Sequence, residues 1–109
     1  MSDSTNIKKK GEKGRTDTNE IFIGNKPFMK YVIATVMQLK EDKNDSVIIK
    51  ARGKFISRAV DVAEVAKKSV KEKDNLVLKD EIKINTEEFT NEENKKINIS
   101  TIDIKLIKK

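Results

Sequence analysis

A chain of 109 residues suffices for one compact domain around one core. It contains no Cys and no His, which removes disulfides, thiolate metal sites, the commonest general base and the commonest transition-metal ligand. Lysine and arginine number 24 against 18 acids, a formal charge of +6 with a pI near 9.5. That balance is a first sign of nucleic-acid binding, yet with 39% of residues charged it also describes a merely basic, well-solvated surface.

No apolar run approaches the roughly 18 residues of a membrane span, and the start lacks the apolar core of a signal peptide. The expectation is a soluble intracellular protein without a membrane partner. Residues 1–18 hold Lys8, Lys9, Lys10, Lys13 and Arg15 with almost nothing apolar to bury. They are expected to be a disordered basic tail, either a solvated leader or an accessory arm for nucleic acid. The domain proper is expected over 19–109.

Order begins at Glu20. Ile21, Phe22 and Ile23 form a short apolar run suited to a strand buried on both faces. Pro27 then stands where a helix can start. Phe28, Met29, Val32, Ile33, Val36, Met37 and Leu39 follow at helical spacing, a face broad enough to predict deep burial, with the methionines as core filler. Tyr31 in the same helix is expected to pack with its hydroxyl at the surface. After the polar turn 42–45, Val47, Ile48 and Ile49 give a second buried strand, hence a strand–helix–strand unit with parallel strands.

A second helix is predicted from about Phe55 to Val70, with Ile56, Ala59, Val60, Ala63, Ala66 and Val70 as its apolar stripe and Glu64 supported by Lys68. The last third is β. Leu76, Leu78, Ile82 and Ile84 alternate with polar residues, and 86–94 reads as a hairpin tip. Ile97 and Ile99 fall on odd numbers whereas Ile102, Ile104 and Leu106 fall on even ones. That change of phase predicts a bulge, or a twist between an arm and the sheet body, near Ser100–Thr101. The fold class is therefore α/β: a two-layer β-α-β-α-β-β sandwich of a mixed four-stranded sheet and two helices, with the last two strands extended as a hairpin arm.

Two strand-to-helix junctions carry the distinctive chemistry: Gly24-Asn25-Lys26-Pro27 and Lys50-Ala51-Arg52-Gly53-Lys54. In parallel-strand units both lie at the carboxyl ends of the strands, a common place for ligands. A helix N-terminus carries about half a positive charge, so a cation there costs up to about 1 kcal/mol while an anion gains. Neither junction places Asp, Ser or Thr immediately before its helix. Lys26, Arg52 and Lys54 thus suit phosphate binding; the competing reading is that these long side chains bend away into water over apolar surface. No Walker pattern or dinucleotide fingerprint is present, so bound ATP or NAD is not indicated. Asp61, Glu64 and Asp103 read as solvating and ion-pairing acids, not as catalytic groups.

The run Ile23-Gly24-Asn25-Lys26-Pro27-Phe28-Met29-Lys30-Tyr31-Val32 is similar to the opening motif of the Alba family. The run Ile49-Lys50-Ala51-Arg52-Gly53-Lys54-Phe55-Ile56-Ser57-Arg58-Ala59-Val60-Asp61 resembles its second motif, and Ser100-Thr101-Ile102-Asp103-Ile104 its final strand. The resemblance covers about 20–109. It implies a homodimer, or a heterodimer with a paralogue, that binds double-stranded DNA and also RNA with little sequence preference. The implied setting is cytoplasmic and chromosome-associated, as an architectural chromatin protein that condenses DNA. No enzyme activity, cofactor, metal or small-molecule substrate is implied.

Carried over by position, Lys26, Arg52 and Lys54 become nucleic-acid contacts, with Asn25, Lys50, Gly53 and Arg58 completing the implied surface. Three positions depart from the family. Asn25 replaces the first of its paired lysines, an acetylation target. The hairpin carries Glu87, Glu88, Glu92 and Glu93 against Lys95 and Lys96. Val70 stands where an aromatic links dimers in some members. Two other functions stay open at this point: an RNA-centred role in stabilisation or in an RNA-processing particle, and a protein-interaction module using the acidic hairpin.

Overall fold

The computed structural model describes residues 19–109; the tail expected over 1–18 lies outside them. The elements are β1 (Glu20–Phe22), α1 (Phe28–Lys40), β2 (Ser46–Arg52), a short 3-10 turn (Gly53–Phe55), α2 (Ile56–Asp74), β3 (Leu78–Thr90) and β4 (Lys96–Lys108). The sheet order is β1-β2-β4-β3. β1 and β2 run parallel, and the β2–β4 and β3–β4 pairs are antiparallel. The expected mixed four-stranded sheet, two helices and hairpin arm are all present.

Both helices cover the same sheet face. Val47, Ile49 and Ala51 of β2 pair with Leu106, Ile104 and Ile102 of β4, and all six are buried beneath the helices. Tyr31, Val32, Thr35 and Leu39 come down from α1, and Ala59, Val62, Ala63, Ala66 and Val70 from α2. The small alanines let α2 sit close on the sheet, which is how a helix with low apolar content finds a core to bury. Among the described residues, no second layer covers the opposite face. It carries Glu20, Phe22, Ile48, Lys50, Arg52, Thr101 and Asp103, so β1 is not buried on both faces and Phe22 is 67% exposed.

Several sequence expectations need correction. Met29, Ile33 and Met37 are not core filler: they form an exposed stripe along α1, whose outer side is covered by none of the described residues. Val60 is likewise partly exposed. α2 runs on to Asp74, four residues beyond its last apolar position, and ends with Asn75 in the left-handed conformation (φ 54°). There Asn takes the role glycine usually fills at a helix end. Glu64 pairs with Lys67 at 3.0 Å, one residue before the expected Lys68.

The arm also differs. β3 stays paired through Thr86, Glu87, Glu88, Phe89 and Thr90, so the turn occupies only 91–95. Asn91 shapes it, its side-chain oxygen accepting the backbone N–H groups of Glu93 and Lys95, each at 2.9 Å. No bulge interrupts β4; the register runs unbroken from Leu78↔Lys108 to Thr90↔Lys96. The change of phase has another cause. Along the sheet body the apolar residues face the helices, whereas along the arm Phe89, Ile97 and Ile99 lie on the open face.

Candidate nucleic-acid interface

The parallel arrangement of β1 and β2 brings both junctions to one end of the sheet. Arg58 in the first turn of α2 donates from Nη2 to the carbonyl oxygen of Lys26 at 2.8 Å, tying the junctions directly. Its guanidinium also lies 6.0 Å from the centroid of the Tyr31 ring, and its Nε has no partner among the described residues. Arg58 is thus committed to holding the two loops together.

Tyr31 organises the first junction from beneath. It is buried, and its hydroxyl oxygen accepts the backbone N–H groups of Gly24 at 2.9 Å and Lys26 at 3.0 Å. This corrects the expectation of a surface hydroxyl. Two loop donors are thereby satisfied inside the protein and are not offered to an anion. Lys26 is consequently fixed by its N–H and its carbonyl, while its side chain and that of Asn25 project from an exposed loop. Neither helix has a side-chain cap or an acid in its first turn, so the positive ends of both helices stay uncompensated at this edge.

At the second junction, Gly53 adopts φ +58°. A side chain there would be strained, and this one left-handed residue turns the chain from β2 into the 3-10 turn that bears Lys54. Lys54 is exposed, its ammonium 5.4 Å from the Phe55 ring centroid.

Arg52 ends β2 on the open face and reaches the arm. Its Nη1 lies 2.7 Å from Oε1 of Glu87, and its guanidinium sits 5.3 Å from the Phe89 ring centroid. Lys50 is half-buried on the same face, between Glu20 at 3.7 Å and Asp103 at 3.5 Å. Of the positions singled out in the sequence, Lys26, Lys54 and Asn25 are therefore exposed and unpaired among the described residues, Arg52 is held by an acid of the arm, Lys50 lies between two acids, Gly53 turns the chain, and Arg58 bonds the Lys26 carbonyl. Sequence reasoning missed the role of Tyr31 and the Arg52–Glu87 pair, which is 35 residues apart in the chain. Val70 is fully buried on the inner face of α2 and offers no surface to another molecule.

Between the junctions and the root of the arm lies a groove of about 670 Å³. Phe22, Lys50, Arg52, Lys54, Phe55, Asn85, Glu87, Ile99, Thr101 and Asp103 line it. Its lining combines cations, two of them paired with its acids, with the rings of Phe22 and Phe55.

Comparison with known proteins agrees with this fold. The Alba family model matches residues 19–91. The "DNA/RNA-binding protein Alba" of Methanocella arvoryzae is 48% identical over 88 residues, covering 81% of this chain and 88% of that protein. "DNA/RNA-binding protein Alba 1" of Archaeoglobus fulgidus is 46% identical over 91 residues, covering 84% and 97%. Among solved structures, Alba from Thermoplasma volcanium superposes with a TM-score of 0.68 at 41% identity, covering 81% of this chain and 98% of that one. With the motifs, the fold and these relatives in agreement, the chain belongs to the Alba family.

Proposed function

We propose that this protein binds double-stranded DNA and RNA through the phosphate backbone, without reading sequence, and that it works as a dimer in packaging nucleic acid. The observation that carries this reading is the gathering of Lys26, Arg52 and Lys54 at one edge. Two uncapped helix N-termini point there, and Arg58 bonds one loop to the other. A cluster of cations beside unneutralised helix ends is unfavourable for the free protein and favourable once a polyanion arrives. The relatives named as DNA/RNA-binding proteins support the same partner.

Dimer formation is supported by an apolar patch on the helix side of the sheet edge. Ile82 and Ile84 project from β3 beyond the cover of α2 and are 62% and 74% exposed. The Lys67–Asp80 ion pair marks the flank of α2 that faces β3, and Val60 lies on that flank two turns before Lys67. A second copy presenting the same patch would cover both the apolar residues and the open strand edge.

The test is Ala substitution of Lys26, Arg52 and Lys54, singly and together, with affinity for unrelated sequences measured across several salt concentrations. Each variant is expected to weaken binding to a similar degree for every sequence, because phosphate contacts carry no base information. The salt slope is expected to fall by about one unit for each phosphate that the variant no longer neutralises. A folded triple variant that binds with an unchanged slope would refute the site.

A further inference from the structure

The groove at the root of the arm has a composition that phosphate contact alone does not require. Phe22 is 67% exposed, on the uncovered face of an edge strand. Phe55 joins it in lining the groove, and Phe89 stands next to it beneath the Arg52 guanidinium. Two of the four phenylalanines in the chain thus line one concave surface, and a third packs under a cation that lines it. Asn85 and Thr101, paired across β3 and β4, add an amide and a hydroxyl to the lining beside the apolar Ile99. Lys50 beside them is already neutralised by Glu20 and Asp103.

We infer that this groove is a binding site for an unpaired nucleotide of single-stranded RNA or DNA, whose base stacks on Phe22 while its phosphate meets Arg52 and Lys54. The inference rests on the nucleic-acid reading above and adds a second kind of ligand to the same edge. An aromatic face beside cations is the shared requirement of single-strand binding, since every base has a π-face and every linkage a negative charge. The volume of about 670 Å³ is in the range of small-ligand sites and admits a nucleotide. Charge favours one orientation. Asp103 is paired with Lys50 and Glu87 with Arg52, so Lys54 is the cation of the lining that meets the phosphate first, Arg52 joins it on leaving Glu87, and the base enters over Phe22. The amide of Asn85 and the hydroxyl of Thr101 then meet base edges with either donor or acceptor, which favours tolerance of sequence. A duplex does not enter, because its bases are stacked on one another and show no free face.

The decisive variants are Phe22→Leu, which keeps apolar bulk but removes the π-face, and Phe22→Trp, which enlarges it. Because Phe22 is largely exposed, neither should alter the fold, and a thermal melt checks this. Affinities for oligothymidylate, oligouridylate and a duplex of equal length are measured at one salt concentration. Phe22→Leu is expected to weaken binding of single strands by about five- to a hundredfold, with duplex binding unchanged and Phe22→Trp at least as tight as the natural protein. Weaker binding of either single strand supports the inference, and its size on each tells which of the two the groove takes. Unchanged single-strand affinity in Phe22→Leu would overturn the groove while leaving the phosphate reading intact. If the natural protein binds duplex but no single strand, the groove is likewise overturned. If it binds neither, the proposed function itself fails.

Discussion

Replacing Glu87 with Gln is expected to tighten nucleic-acid binding, which is not what removal of an internal ion pair usually does. Arg52 and Glu87 are in contact at 2.7 Å, with side chains 57% and 50% exposed. An exposed pair of this kind is worth about 0.2–1 kcal/mol. If Arg52 must leave Glu87 to reach a phosphate, that energy is subtracted from binding in every protomer. The Gln variant removes the subtraction and also the repulsion between carboxylate and phosphate. Phe89 still supports the guanidinium from below, so Arg52 stays near its present position. The gain is then roughly 1.5- to 5-fold per protomer, or about 2- to 30-fold where a dimer engages both sites. Titration of labelled duplex at low and moderate salt measures it, and the gain should shrink as salt rises. Glu88→Gln is the matched control. It removes the same charge from the same arm, but on the opposite face, where Glu88 sits across from Asn98. Weaker binding by a folded Glu87→Gln variant would mean that Glu87 positions Arg52 for binding and does not compete for it. Equal gains in both variants would reduce the effect to general charge.

Tyr31→Phe leaves the N–H groups of Gly24 and Lys26 without their acceptor. It is expected to cost about 1–2 kcal/mol of stability in a denaturant melt and to weaken DNA binding by loosening the loop of Lys26. Asp80→Asn removes the partner of Lys67. The hydrogen bond from Lys67 holds the Asp80 carboxyl below its usual range and raises the Lys67 ammonium. A depressed acid contributes stability above its unfolded value and loses it as pH falls through its folded value. The variant should therefore be less stable by up to about 1 kcal/mol at neutral pH, and the difference should close in acid. Ile82→Asp with Ile84→Asp is expected to yield a folded monomer by sedimentation, because both side chains lie outside the core of one protomer. An intact dimer would place the interface elsewhere.

The order of elements was legible because each apolar run in the body of the domain has a single period. The alternation of Ile102, Ile104 and Leu106 and the three-and-four spacing in α2 both mark residues that face one core. The arm defeated the same reasoning. Its strands are wet on both sides, so Thr86–Thr90 carries no burial signal even though every residue is paired across to β4. Periodicity reports burial, not hydrogen bonding. The outer stripe of α1 misled in the opposite sense, since Met29, Ile33 and Met37 look like core yet face outward. Sequence cannot say how many layers stand above a helix.

The candidate site shows where local electrostatics is sufficient and where it is not. The charge at helix ends selects Lys26, Arg52 and Lys54 from sequence because it depends only on neighbours in the chain. The state of each cation depends on partners far along it. Arg52 answers to Glu87 on the arm, Lys50 to Glu20 and Asp103 on two other strands, and the Lys26 loop to Tyr31 and Arg58. The cations of the basic motifs thus differ in their partners. Lys26 and Lys54 have no acid partner among the described residues, Arg52 is paired with Glu87, Lys50 with Glu20 and Asp103, and Arg58 with the carbonyl of Lys26. On the proposed function, a distant acid such as Glu87 would tune affinity through Arg52 without altering any residue of either motif.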